Sequence, residues 1–208
     1  RSSAGANNEI VGNEIFNGAV GMDIAEATGA RVHNNIIHNM AAEGIFILNN
    51  VRDLQIYDNL LYDSDINIRP QNMNNDNRLV YIYRNRIYNP HLLGAENFYF
   101  HFWPSSPPPS SYPEFYIYHN SIVGGHIAFG IGDAVPAGGM PNARFINNIF
   151  SSYQFYTPWV DSTFITNSSM VGAFDYNWAG GIYARGVPAW FGSNNINARD
   201  QKMWTDET

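Results

Sequence analysis

Apolar residues recur along this chain in a fixed relation to asparagine. One stands three positions before it and another two positions after: Ile10/Asn13/Ile15, Val32/Asn35/Ile37, Ile56/Asn59/Leu61, Ile82/Asn85/Ile87, Ile117/Asn120/Ile122 and Phe145/Asn148/Phe150. The asparagines are 22, 24, 26, 35 and 28 residues apart, in the range of stacked repeat architectures. Around each one the pattern alternates with period two, as in Leu54 and Ile56 against Gln55 and Tyr57. Every copy therefore predicts a strand, a tight bend and a second strand. The asparagine is predicted to be the corner, since its short amide tolerates left-handed backbone. In a stack of coils that amide donates to one neighbour and accepts from the other, which predicts a column of asparagines bonded coil to coil.

A short link then leads to a third strand, over 21–25, 44–48, 65–69, 97–103 and 126–132. Alternation turns Ile24, Ile45, Ile47, Ile66, Ile68, Phe98, Phe100, Phe129 and Ile131 inward. Asp23, Phe46, Leu48, Asn67, Arg69, Tyr99, His101, Trp103, Ala128 and Gly130 turn outward. Stacked strands lie about 4.8 Å apart, which predicts Arg69 and His101 as neighbours. The longest connections follow this third strand and emerge along one edge, where loops on a rigid scaffold tend to bind. Among them 104–113 is proline-rich and expected to form a stiff wall beside His101.

The asparagine-cornered repeat resembles the right-handed parallel β-helix of pectate-lyase-like proteins, roughly over residues 7 to 157. The resemblance implies an all-β, single-stranded solenoid of about six coils, with coils in 1–157. Residues 158–208 are then irregular final coils and a C-terminal cover of the same domain, closed by Trp178, Trp190 and Trp204. Asp175-Tyr176-Asn177-Trp178 is similar to a segment found beyond the regular coils of many bacterial β-helix proteins. The family implies sites on the third-strand face, but none of its catalytic motifs is present, so no catalytic residue carries over.

The chemistry is read from that face. In polyuronate β-elimination a base removes the proton beside the sugar carboxylate while a cation neutralises that carboxylate. Arg69 is expected to be the neutraliser, with His101 and Tyr99 as base and acid, and Asn67, Trp103, Gln71 and Asp133 binding substrate. Hydrolysis needs paired carboxylates, and alternation leaves none on the outward positions of the central coils; Asp65 and Asp133 stand at strand margins. No cofactor is expected. Asp63, Asp65, Asp76 and Glu43 match no calcium-loop spacing and read as solvated acids.

The composition narrows the partners. A net charge of −7, with a single lysine at Lys202, argues against nucleic acid or an anionic membrane as partner, since either needs a basic stripe. No apolar run approaches the ~18 residues of a membrane span, and the absence of cysteine fits a secreted or cell-surface protein that does not rely on disulfides. An acidic polysaccharide is the expected partner. The alternative is a non-catalytic structural, adhesive or self-assembling solenoid. That alternative draws on two features: outward Tyr57, Tyr81, Tyr83, Tyr116 and Tyr118, and a Ser/Ala/Gly/Asn-rich start that offers little to cover the first coil, so that further protein or a second copy is expected at the N-terminal end.

Overall fold

The computed structural model describes residues 6–48, 50–71, 79–89, 96–102, 114–133, 140–156, 171–182, 189 and 191–197. At 99–102, 127–133, 140–141, 152–156, 181–182 and 196–197 it describes the backbone alone. The described chain is all β, and each strand pairs in parallel with its counterpart one repeat away, so the fold is a parallel β-solenoid.

Three columns of strands build it. The first contains β1 (Glu9–Val11), β4 (Arg31–His33), β7 (Gln55–Tyr57), β10 (Val80–Tyr83), β13 (Phe115–Tyr118), β16 (Met140–Ile146) and β18 (Val171–Asp175). After the asparagine bend come β2 (Glu14–Phe16), β5 (Ile36–His38), β8 (Leu60–Tyr62), β11 (Arg86–Asn89), β14 (Ser121–Gly124), β17 (Ile149–Tyr156), β19 (Trp178–Ile182) and β20 (Ile196–Asn197). The third column is β3 (Met22–Ile24), β6 (Glu43–Ile47), β9 (Ile66–Pro70), β12 (Glu96–Phe102) and β15 (Ile127–Asp133). The long β17 pairs with both β14 and β15, which joins the second and third columns into one sheet. No helix among the described residues is long and apolar enough to cross a membrane.

The pattern that predicted the strands also builds the core. Val32, Ile56, Ile82, Ile117 and Phe145 stack from rung to rung in the first column, and Ile37, Leu61, Ile87, Ile122 and Phe150 in the second, all at most 1 % exposed. The asparagine column runs beside them. Asn13, Asn35, Asn59, Asn85, Asn120, Asn148, Asn177 and Asn195 are joined side chain to side chain, each Nδ2 donating to the next Oδ1 at 2.9–3.2 Å.

Three expectations need correcting. The first column holds seven strands, one more than the expected coils, because Phe174/Asn177/Ala179 forms a further rung. Its small Ala179 hides the apolar signal, and Asp175-Tyr176-Asn177-Trp178 is part of the repeat itself. Next, the left-handed residue is not the column asparagine but the one before it: Gly12, Asn34, Asp58, Arg84, His119, Asn147 and Tyr176 all have positive φ. The turn must be completed one residue early so that the asparagine amide points inward, where its bonds outweigh the strain at Arg84, His119 and Tyr176. Finally, at the start of β9 the alternation breaks: Asn67 and Ile68 are buried in succession, and Ile66 is half-buried. The chain bends inward there. Gly44 occupies the matching place in β6, and a Cβ on it would stand 2.6 Å from the Asn67 carbonyl oxygen, so the rungs meet too closely for any side chain.

Candidate functional site

The third column carries the charged chemistry. Register pairs Glu43 with Ile66 and Ile66 with Glu96, and pairs Phe46 with Arg69, so β6, β9 and β12 bring Glu43, Asp65, Arg69 and Glu96 to one surface. The Arg69 guanidinium forms a salt bridge with Glu43 and lies 5.6 Å from the centre of the Phe46 ring. It is drawn towards the preceding rung. Glu43 is only 7 % exposed, so it is an ion-paired group rather than the solvated acid that the sequence suggested.

Among the described residues Glu96 has no such partner. No described residue hydrogen-bonds its carboxyl, and burial pushes it up to about 7, with Asp65 adding to the rise and Arg69 opposing it. Asp65 is raised by burial and by Glu43, against Arg69. Unequal environments of this kind let one carboxyl stay protonated while its neighbour is ionised. Glu96 stands one residue before the strand start that alternation gave, which is why sequence reasoning missed it. The spacing of acids around Arg69 within one repeat was the available signal, but it needed the register of three strands to be read.

The residues singled out from sequence are placed as follows. The register pairs Ile68 with Phe98, so one residue further Arg69 is level with Tyr99 rather than with His101. His101 pairs through its backbone with Gly132, and Asp133 with Phe102, at the far ends of their strands. The side chains of Tyr99, His101 and Asp133, and Trp103, Asp76 and the segment 103–113 entirely, lie outside the described residues. Asn67 is fully buried; its Nδ2 donates to Asn97 Oδ1 at 2.9 Å, and its Oδ1 has no partner among the described residues because Gly44 brings no donor. Gln71 is buried one residue past the end of β9. Among the described residues no group of three or more His, Asp or Glu is arranged to hold a metal. On the edge where the connections emerge, Glu26, Thr28, Asn50 and Arg52 line a small cleft.

The other two faces carry stacked rings. In the first column His33, Tyr57, Tyr83 and Tyr118 stack at 4.6–5.0 Å between centres. In the second Phe16, His38, Tyr62 and Tyr88 do so at 4.6–5.4 Å. The sequence revealed the first set and not the second. Ring faces within each column are covered by neighbouring rings, so the columns present edges to solvent rather than a platform for a sugar. Burial raises the hydroxyls of Tyr62, Tyr81, Tyr83 and Tyr118 above the usual phenol value.

Fold and site together define a parallel β-solenoid with a carboxyl-rich, arginine-centred patch on its third column. Comparison with known proteins finds no family model that matches the chain, no matching curated protein and no matching solved structure.

Proposed function

We propose that the chain is a secreted or cell-surface, carbohydrate-active solenoid of the pectate-lyase-like kind. In this reading it cleaves a polysaccharide laid across the third column, with Glu96 moving the proton. The observation that supports this most is Glu96 itself: a half-buried carboxyl held near 7, beside a second carboxyl and a cation, on the face where substrate would lie. A general acid or base works best when its pKa is near the working pH. The backbone of Glu96 is fixed at the start of β12, paired with Ile66 and with its N–H donating to the Asp65 carbonyl at 2.8 Å, while no described residue hydrogen-bonds its carboxyl. Tyr99, level with Arg69, and His101 further along the same strand extend the proposed binding line.

The test is a panel of polysaccharides incubated with the chain and scored for new reducing ends and for unsaturated ends. Cleavage is expected, with Glu96→Gln reducing the rate about 10²- to 10⁴-fold. If no polymer is cut, or if Glu96→Gln cuts as fast as the parent, the reading is abandoned.

A non-catalytic scaffold is the second reading, favoured by the first rung. Among the described residues β1, β2 and β3 each pair on one side only, with Val11 and Phe16 about half exposed at 46 % and 53 %. Open strand edges recruit further strands. Concentration-dependent growth in light scattering, without cleavage of any polymer, is the result this reading expects.

A further inference from the structure

The charge around Glu96 bears on what the site can accept. Resting on the reading of Glu96 given above, we propose that Glu43, Asp65, Arg69 and Glu96 receive an uncharged glycan and cleave it by hydrolysis. A uronate would need Arg69 as its counter-ion. Arg69, however, is already held by Glu43 and Phe46, and drawing it away would leave Glu43 as a buried carboxylate without its partner. Of the remaining groups, Glu96 carries the proton and Asp65 is the carboxylate that takes one from water, so a substrate carboxylate finds no free cation and meets like charge at Asp65. An amino sugar fails for the opposite reason, because a cation beside Glu96 favours its ionised form and draws off the proton it must donate. A neutral ring avoids both penalties, and its hydroxyls suit carboxyl partners that both donate and accept.

The step balances with water as the only co-reactant. The Glu96 O–H bond breaks and its proton joins the glycosidic oxygen. The anomeric C–O bond breaks with its electron pair kept by that oxygen, and the oxygen of water bonds to the anomeric carbon. The proton released from water passes to the Asp65 carboxylate and returns to Glu96 through solvent.

The experiment compares neutral polymers (mixed-linkage β-glucan, arabinoxylan, galactomannan), polyuronates (polygalacturonate, alginate) and chitosan on the intact chain. A neutral polymer should be cut about a hundredfold faster than any polyuronate, giving saturated ends. Glu43→Gln keeps the shape of the partner while freeing the charge of Arg69, and should narrow that ratio at least about tenfold. Faster cutting of a polyuronate or of chitosan by the parent chain, or a ratio unmoved by Glu43→Gln, overturns the substrate assignment. The reading of Glu96 survives that result provided Glu96→Gln abolishes the cleavage. If no polymer is cut, both fall. Should Glu43→Gln fail to fold, the comparison on the parent chain still decides.

Discussion

Asn59 shows how much one residue carries in this fold. Its Nδ2 donates to the carbonyls of Val32 and Tyr57 and to Asn85 Oδ1, and its Oδ1 accepts from the backbone and side-chain nitrogens of Asn35, all at 2.9–3.0 Å. Leucine is near in size but can make none of these bonds. Each buried group left without a partner costs about 1–3 kcal/mol, so Asn59→Leu is expected to lose at least ~3 kcal/mol. Urea unfolding measures it, and an unchanged midpoint would contradict a stabilising role for the asparagine column. This much was legible in the sequence, because the asparagine and its flanking apolar pair keep one spacing. The placing of the left-handed residue was not, since Arg84, His119 and Tyr176 are side chains that seldom adopt it and carry no local signal.

Among elements, the first two columns follow alternation closely, whereas the third departs from it. Period two assumes a straight strand, and β9 bends at Asn67 and Ile68, which turns both inward and resets the outward positions. The same bend explains why the site was only half legible: Arg69 could be found, but its pairing with Glu43 and its proximity to Glu96 depend on contacts between rungs. Stacked rings give the columns a measurable grain. Among the described residues Tyr62 stacks on both His38 and Tyr88, while Tyr88 stacks on Tyr62 alone. Each stacked pair contributes about 0.5–1.5 kcal/mol, so Tyr62→Leu should destabilise the chain by roughly twice as much as Tyr88→Leu. Equal losses in thermal unfolding would mean that the rings act only as bulk.

For the whole molecule, Glu96 ties stability to pH. In the folded chain its carboxyl is raised from the ordinary 4.5 to about 7, so the folded state holds the proton more tightly than the unfolded one. Its contribution to stability is therefore complete below pH 4.5 and is lost as pH rises towards 7, by up to about 1.4 kcal/mol per pH unit. Chemical unfolding of the parent chain and of Glu96→Gln across that window should show the parent losing stability relative to the variant as pH rises. A constant difference between them would remove Glu96 as a proton-linked group. The uniform direction of pairing has a further, mechanical consequence. The hydrogen bonds between rungs all run along the stacking axis. Tension along that axis loads successive interfaces in series, so rungs peel away one at a time at modest force. Tension along the strands instead shears many bonds at once, which makes the molecule soft in one direction and stiff in the other.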